Sequence, residues 1–342
     1  MVRLKSLIVS SILFLAASAL AQENTQQYAV LGDFKLESGE VIQQCRIGYR
    51  TFGQLNPDKS NVVVFTTWFG GKSESLAGSI GPGKLIDSSK YYVIAIDALG
   101  NGISSSPSNS KQQPHMKFPQ FTVRDMVNSQ HELLTRVLGL NHVRAVTGIS
   151  MGGMQTFQWM VSYPDFMDKA IPIMGSPRMA PYDLLHWQLE IDAIMSDPGW
   201  KEGEYTENPA KVVLGEVAQL LLSTPQGYNR THTREQVAES IEQFKTNPTM
   251  DANNHIRTAQ AVMKLDVSGA FGGSMEKAAA AVKAKTLVIV ATRDMAVTSD
   301  AARAFAKLIS ADVLELAGDC GHGANGCEAD KVNPAVASFL EK

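Results

Sequence analysis

The stretch that decides the fold is Val143-Arg-Ala-Val-Thr-Gly-Ile-Ser150-Met-Gly-Gly-Met154, an apolar run that leads into a Gly-x-Ser-x-Gly pattern. The apolar run predicts a buried strand, and the residues from Gln155 to Val161 predict a helix directly after it. In such a strand-to-helix turn the serine adopts a strained backbone conformation that exposes its hydroxyl, while Gly148 and Gly152 let the backbone pass closely. This context predicts that Ser150 is a nucleophile.

Further apolar runs of strand length lie on both sides of this stretch, at residues 61–67, 91–96, 170–173, 286–291 and 312–316. Continuous apolar strands separated by helical patterns are typical of a parallel sheet that is covered on both faces. One of these helices is marked by Thr122 and Asp125, which form a capping-box-like start, and by Gly139, which ends it. The predicted fold class is α/β.

Two other segments complete the predicted architecture. Residues 28–36 and 41–52 predict an antiparallel hairpin with a polar, glycine-containing turn. From residue 177 to 284 the strand pattern stops and a helical pattern replaces it. Strands that resume near residue 286 need the earlier sheet as their partner, so this segment is predicted to be an inserted helical lid rather than a separate domain. The predicted core is therefore residues 22–176 and 285–342, with a lid of residues 177–284.

The first 21 residues are typical of a secretory signal peptide. Arg3 and Lys5 precede an apolar run from Leu7 to Leu20, and a small-residue cleavage site places the mature start at Gln22. The run is short for a bilayer span, which disfavours the alternative of a retained membrane anchor. We therefore expect an exported protein, periplasmic or secreted, that has no membrane association once the leader is removed.

The charge balance is close to neutral, with 31 Lys and Arg residues against 34 Asp and Glu residues and no basic run. This balance disfavours nucleic acid or an anionic membrane as a partner. A small neutral or weakly charged ligand fits better. The sequence leaves the oligomeric state open, with a homodimer among the alternatives.

The three cysteines are Cys45, Cys320 and Cys327, and none of them belongs to a Cys-x-x-Cys pair. We therefore expect no metal site, and no motif in the chain indicates a cofactor. In an exported chain Cys320 and Cys327 could form a disulfide that pins the loop containing His322. The alternative is that all three are small buried side chains, which is the interpretation that we favour for Cys45.

A serine hydroxyl needs a base, and the base needs a carboxylate that orients it. Of the seven histidines, His322 lies in a glycine-rich loop directly after the last predicted strand, and the other six are assigned surface or structural roles. Asp294 follows the preceding predicted strand. The order Ser150, Asp294, His322 is that of the α/β-hydrolase fold. Asp319 is the rival acid, but it lies too close to His322 in sequence to reach the far ring nitrogen, and Asp300 is expected to be a helix N-cap.

Two backbone amides are predicted to bind the oxyanion that forms when the serine attacks. One is the amide of Met151, and the other lies on the glycine-containing loop after the first central strand, where Phe69 is favoured and Trp68 comes next. Apolar side chains near the nucleophile and in the lid predict a pocket for an apolar acyl or alcohol group. Its candidate residues are Trp68, Met154 and Trp187, and core packing is the alternative for Trp68.

Several motifs occur together in this chain: Tyr49-Arg-Thr-Phe-Gly-Gln-Leu-Asn56, Val93-Ile-Ala-Ile-Asp-Ala-Leu-Gly-Asn-Gly102, Ser150-Met-Gly-Gly-Met154, Asp197-Pro-Gly-Trp200 with Gly203-Glu-Tyr205, and Gly321-His322. With them the chain resembles the homoserine O-acetyltransferase family and its hydrolase relatives over nearly its whole length after the leader. The resemblance implies the same Ser150, Asp294 and His322 assignment, an acyl-enzyme at Ser150, and a helical lid over the pocket.

The chain departs from the acetyltransferases at two positions that hold their amino-acid acceptor. In that family an aspartate after the catalytic histidine holds the amino group of homoserine, whereas this chain has Gly323. The family also places an arginine in the lid for the carboxylate, but no arginine lies between Arg178 and Arg230. We therefore expect hydrolysis of carboxylic esters through an acyl-enzyme. Acyl transfer to an alcohol or amine, and a non-catalytic binding protein with a relic triad, are the alternatives.

Overall fold

The computed structural model describes residues 24–246 and 249–342. The leader predicted for residues 1–21 lies outside the described residues. In the described part of the chain eight strands form one sheet: β1 (Gln27–Lys35), β2 (Val41–Phe52), β3 (Val62–Thr66), β4 (Tyr92–Ile96), β5 (Val143–Ile149), β6 (Met167–Ile173), β7 (Lys285–Ala291) and β8 (Asp312–Leu316). Their spatial order is β1-β2-β4-β3-β5-β6-β7-β8. The α/β class predicted from the sequence is confirmed.

Strand direction changes twice across this sheet, because β2 runs opposite to both of its neighbours. β1 and β2 form the predicted antiparallel hairpin, with Tyr28 opposite Gly48, and β2 is also antiparallel to β4. All neighbouring pairs from β4 to β8 are parallel. Parallel neighbours need a crossover connection, which explains why the strands alternate with helices along the chain.

The sheet is buried on both faces because alternate residues of each central strand belong to different cores. In β3, Val62 and Val64 lie in a core cluster that includes Trp159 of the helix after β5. The alternate residues Val63 and Phe65 lie in a second cluster on the other face. Successive side chains of a strand point to opposite faces, so a strand covered on both sides is apolar at every position.

Within the described residues the helices are α1 (Ser73–Leu76), α2 (Val123–Glu132), α3 (Met151–Ser162), α4 (Pro181–Ser196), α5 (Lys211–Leu222), α6 (Pro225–Thr231), α7 (Arg234–Thr246), α8 (Ala252–Met263), α9 (Met275–Ala281), α10 (Asp300–Leu308), α11 (Ala324–Cys327) and α12 (Ala329–Glu341). The predicted capping box of α2 is present, because Thr122 and Asp125 each accept a hydrogen bond from the other's backbone amide. A π-helical turn, Leu133–Val137, extends α2, and Gly139 follows it with a φ of 63°. The predicted N-cap role of Asp300 is wrong, since Ser299 occupies the cap position and Asp300 is the first helical residue.

The helical segment between β6 and β7, which we call the helical insert (residues 177–284), leaves and re-enters the sheet at two neighbouring strands. Within it α4 packs against α8 and α5 packs against α7, whereas α9 packs against α3 and α10. At its base Arg178 donates from Nε to Asp266 Oδ2 at 2.8 Å and from Nη2 to Ser268 Oγ at 2.6 Å. These bonds join the start of the insert to the segment between α8 and α9.

Over residues 24–246 and 249–342, none of the helices combines the length and the apolar character that crossing a bilayer requires.

Candidate active site

Ser150 occupies the turn between β5 and α3, with a φ of 59° and a ψ of −121°. A positive φ is unfavourable for a residue with a side chain, and such strain persists only where the surroundings impose it. A Cβ atom added at Gly148 would come within 2.4 Å of the Gly152 backbone, and one added at Gly152 would come within 2.5 Å of the Thr66 carbonyl oxygen. The two glycines therefore permit the close packing that forces Ser150 into this conformation.

The structure brings Ser150, His322 and Asp294 into one hydrogen-bonded line. His322 Nε2 lies 2.8 Å from Ser150 Oγ, and His322 Nδ1 lies 2.7 Å from Asp294 Oδ2. A carboxylate accepts hydrogen bonds, so Nδ1 carries the ring hydrogen and Nε2 is free to accept the serine proton. Ser150 and His322 are 172 positions apart in the chain, so this line is a product of the tertiary fold.

Asp294 is held by backbone amides as well as by the imidazole. Its Oδ1 accepts hydrogen bonds from the amides of Ala296 and Val297, both at 2.9 Å. Asp294 and His322 are each 9% exposed, whereas Ser150 is half-buried. The carboxylate and the ring are thus fixed below the surface, and the serine is the member of the line that solvent reaches.

The rival acid, Asp319, lies on the same loop as His322 but has a different partner. Arg230 of α6 donates to both of its carboxylate oxygens, at 2.9 and 2.7 Å. Through these hydrogen bonds Arg230 holds the pKa of the Asp319 carboxyl below its usual value. The hydroxyl of Thr224 also donates to the Asp319 carbonyl. Asp319 therefore joins the helical insert to the histidine loop, while Asp294 contacts the ring.

A disulfide joins Cys320 to Cys327, as the sequence suggested. It encloses the short 3₁₀ turn Gly321–Gly323, which contains His322. Cys45 is a free thiol in the core, and burial raises its pKa to about 12. Such a thiol stays protonated and unreactive at neutral pH, which fits the space-filling role expected of it.

The two predicted oxyanion donors lie on segments that are joined by side chains. Met151 is the first residue of α3, where helical geometry leaves the amide hydrogens without partners in the helix. Phe69 lies on the loop after β3. Gln155 of α3 donates to the Thr67 carbonyl at 2.9 Å, and Thr66 donates from its hydroxyl to the Gly152 carbonyl at 3.0 Å. The loop that carries Phe69 is therefore hydrogen-bonded to the helix that begins at Met151.

The three predicted pocket residues have different surroundings. Trp187 of α4 is buried, and its ring lies 4.5 Å from the Phe69 ring. Met154 is fully buried in the core cluster of α2 and α3. Trp68 packs instead against the second cluster, with Val63 and Phe65, which agrees with the core-packing alternative stated for it. Only Trp187 of these three therefore extends from the helical insert to the loop beside the nucleophile.

A cavity of about 770 Å³ lies within the helical insert. Its lining is mostly apolar and includes Leu189, Leu220, Phe244 and Met295, the residue after Asp294. Ser150 is not among the lining residues. The cavity therefore lies beside the acid loop rather than directly at the serine hydroxyl.

Sequence reasoning missed a second group of titratable residues near this site, namely His186, Glu190 and His255. They are buried together between α4 and α8, and His255 Nε2 lies 2.7 Å from Glu190 Oε2. The available signal was the spacing of His186 and Glu190, four positions apart on a predicted helix and therefore on one face. In the described residues no group of three or more His, Cys, Asp and Glu side chains has a metal-binding arrangement.

Comparison with known proteins identifies relatives in sequence and in fold. Residues 61–326 match the model of a family described as alpha/beta hydrolase fold. An ethyl acetate hydrolase of Pseudomonas veronii is 33% identical, with 91% of this chain and 93% of that protein aligned. The solved acetyl esterase MekB superposes with a TM-score of 0.88 at 29% identity, covering 94% of this chain and 98% of its own. A homoserine O-acetyltransferase from Bacillus anthracis superposes with a TM-score of 0.84 at 27% identity, covering 93% and 98%.

Proposed function

The chain belongs to the α/β-hydrolase family, and from that membership together with the site we propose that it hydrolyses carboxylic esters through an acyl-enzyme on Ser150. The observation that carries the proposal is the continuous line from the Ser150 hydroxyl through His322 to Asp294, with distances of 2.8 and 2.7 Å. This arrangement supplies a nucleophile, a base and an orienting carboxylate at hydrogen-bonding distance.

In the first half-reaction, Ser150 Oγ forms a bond to the ester carbonyl carbon while His322 Nε2 takes the hydroxyl proton. The carbonyl electrons move to the oxygen, which the amides of Met151 and Phe69 bind. When the tetrahedral intermediate collapses, the bond to the alcohol oxygen breaks and His322 gives its proton to the leaving alcohol.

In the second half-reaction, water attacks the acyl carbon and passes a proton to His322 Nε2. Collapse breaks the bond to Ser150 Oγ, which recovers the proton, and the carboxylic acid leaves. Asp294 stays ionised throughout and stabilises the imidazolium that forms in each half. Every proton that moves is accounted for by Ser150, His322, water and the alcohol, so the cycle needs no cofactor.

Water rather than an amino acid is proposed as the acyl acceptor. Gly323 follows His322 in the turn, so no side chain is present there to hold an amino group. The segment aligned with the family's carboxylate-binding arginine is residues 212–217 of α5, Val-Val-Leu-Gly-Glu-Val, which contains no cation. Both features disfavour homoserine as acceptor. The named activities of the ethyl acetate hydrolase and the acetyl esterase support short-chain acetyl esters as the first substrates to test.

The test is turnover of a series of esters by the protein that starts at Gln22, compared with its Ser150→Ala variant. We expect the wild type to release acid and alcohol in equal amounts and the variant to lose at least about a thousandfold in kcat while keeping its unfolding temperature. Near wild-type activity in a folded variant would contradict the proposal.

The same experiment separates the alternatives. A serine-directed fluorophosphonate should label the wild type and not the variant. If the chain is a binding protein with a relic triad, neither the wild type nor the variant should be labelled. If acyl product accumulates on an added alcohol or amine while little free acid appears, acyl transfer is the function instead.

A further inference from the structure

A buried group of three titratable side chains lies beside the proposed catalytic line without belonging to it. We call His186, Glu190 and His255 the His–Glu–His cluster. His186 and Glu190 are on α4, and His255 is on α8, and each residue is less than 9% exposed. A buried carboxylate is costly unless charged or hydrogen-bonded partners surround it, so this placement calls for a physical explanation.

The hydrogen positions in the cluster follow from its partners. His186 Nε2 lies 2.9 Å from the Ala296 carbonyl oxygen, which can only accept, so Nε2 carries the hydrogen. His186 Nδ1 faces Glu190 Oε1 at 3.5 Å, and His255 Nε2 lies 2.7 Å from Glu190 Oε2. Burial raises the pKa of the Glu190 carboxyl, but the contacts with the two imidazoles outweigh burial and leave the pKa below its usual value. Glu190 therefore accepts a hydrogen bond from His255 through Oε2, while its Oε1 lies beside His186 Nδ1 without a hydrogen bond between them.

One ring of the cluster contacts the loop that presents Asp294. The Ala296 carbonyl accepts from His186, and the amides of Ala296 and Val297 donate to Asp294 Oδ1. Two further hydrogen bonds join the same helix to the same loop, since Asp183 of α4 accepts from the amide and from the hydroxyl of Thr298. The position of α4 thus sets the position of the peptide groups that hold the carboxylate.

The other ring of the cluster contacts the loop that presents Phe69. The His255 ring meets the Phe69 ring edge-on, with centroids 4.8 Å apart, and the Trp187 ring packs against Phe69 at 4.5 Å. The His186 and Trp187 rings are also in contact, at 4.8 Å. Glu190 therefore stands between an imidazole bonded to the acid loop and an imidazole packed against the proposed oxyanion loop.

We propose that Glu190 is a positioning residue for the reaction at Ser150: through His186 it fixes the acid loop, and through His255 it fixes the backbone of Phe69. The inference rests on the proposed serine mechanism, because it assigns Glu190 no role apart from that site. Without the carboxylate the two imidazoles lose their common partner, and both loops can shift relative to Ser150. Displacements of about 1 Å in a catalytic group cost roughly a hundredfold in rate.

The experiment compares Glu190→Leu and Glu190→Gln with the wild type. Leucine has similar size but no acceptor, whereas glutamine keeps a side-chain oxygen that can accept from His255 and fills the same space beside His186. We expect Glu190→Leu to lose about 10- to 100-fold in kcat and in the rate of fluorophosphonate labelling, with KM changed by less than about threefold. Glu190→Gln should stay within about threefold of the wild type in all three quantities. Glu207→Leu, at an exposed glutamate of the insert, is the matched control and should change none of them.

The fraction of protein labelled when the fluorophosphonate reaction is complete gives the fraction of molecules with a reactive Ser150. Every rate is therefore divided by the amount of protein that can be labelled. If Glu190→Leu does not fold, His186→Phe replaces it, because that variant keeps ring packing against Trp187 and removes the contact with Glu190 together with the donation to Ala296. Wild-type rates in a folded Glu190→Leu or His186→Phe variant would overturn the inference, as would an equal loss in Glu190→Gln. Labelling of the wild type without turnover of any ester would instead contradict the proposed ester hydrolysis, and the labelling rates would still test Glu190.

Discussion

At the scale of single residues, Asp294 and Asp319 are the same residue type, and their different surroundings decide which of them contacts His322. Asp294 and Asp319 both lie within 30 positions of His322, yet Asp294 faces the ring nitrogen and two backbone amides while Asp319 faces Arg230. The first carboxylate is buried and the second is at the surface. The carboxylate that accepts from Nδ1 fixes the tautomer that leaves Nε2 able to accept the Ser150 proton.

This difference predicts unequal effects of two matched amide substitutions. Asp294→Asn keeps the shape of the side chain but removes the charge that stabilises the imidazolium, so kcat should fall by about 10³- to 10⁴-fold. Asp319→Asn weakens a solvent-exposed ion pair with Arg230 and should leave kcat within about threefold of the wild type. Steady-state kinetics on both variants, with unfolding temperatures measured in parallel, make the comparison. A large loss in Asp319→Asn with little loss in Asp294→Asn would reverse the assignment.

At the scale of elements, the segment that carries His322 is too short to form a core of its own. It consists of a 3₁₀ turn and the four-residue helix α11, and the Cys320–Cys327 disulfide joins its two ends. On its outer side the segment touches the end of α5, because a Cβ at Gly321 would lie 3.1 Å from the Ser223 backbone. The disulfide and packing by the insert thus hold His322 in place. Ser150, in contrast, is held by the regular hydrogen bonding of β5 and α3.

Removing this disulfide should destabilise the protein and loosen the histidine. The bond closes a loop with a sequence separation of 7, for which chain-entropy estimates give about 2–3 kcal/mol. Replacing Cys320 and Cys327 together by Ala should therefore lower the free energy of unfolding by roughly that amount and reduce kcat. Denaturant unfolding with and without a reductant provides the measurement.

The double variant is also the control for that measurement, since a reductant should destabilise the wild type and leave the variant unchanged. Equal stability of oxidised wild type, reduced wild type and variant would show that the bond contributes nothing to holding the segment.

At the scale of the whole molecule, the proposed site is assembled from three separate parts of one sheet and from the insert above it. Ser150 follows β5, Asp294 follows β7 and His322 follows β8. These strands are parallel, so their carboxyl ends lie at one edge of the sheet, and ligands of open α/β sheets bind at that edge. α4 and α8 then cover this edge through Trp187 and the His–Glu–His cluster.

From the leader predicted at residues 1–21 we expect a particular location of the protein in a cell and a particular first residue. When the full chain is produced in a bacterium with a periplasm, the mature protein should be found outside the cytoplasm with Gln22 as its first residue, because we propose that residues 1–21 are a cleaved export signal. Cell fractionation and N-terminal sequencing check this. A charge within that run, as in Leu13→Arg, should leave the uncut chain in the cytoplasm. A cytoplasmic wild-type protein that keeps its first 21 residues would contradict the proposed export.

Much of the fold and part of the site could be predicted because their signals are local. The apolar runs gave the strands within a few residues, and the glycines around Ser150 marked the strained turn from its immediate neighbours. The loops after the last two predicted strands, together with chain order, led to Asp294 and His322. Asp300 was misplaced by one position because the exact start of a helix depends on backbone angles that composition does not specify.

By itself, then, the sequence determined the α/β sheet and the turn that exposes Ser150, and it left the Cys320–Cys327 bond as one of two alternatives that the tertiary structure decided. The tertiary structure alone decided that Trp68 packs into the core while Trp187 lies over Phe69, and that Glu190 meets His255, 65 positions away. Hydrophobic periodicity and turn chemistry act between near neighbours in the chain, so they leave a record in the sequence. Contacts between distant helices depend on the orientation in which α4 and α8 dock on the sheet, and no local pattern encodes that orientation.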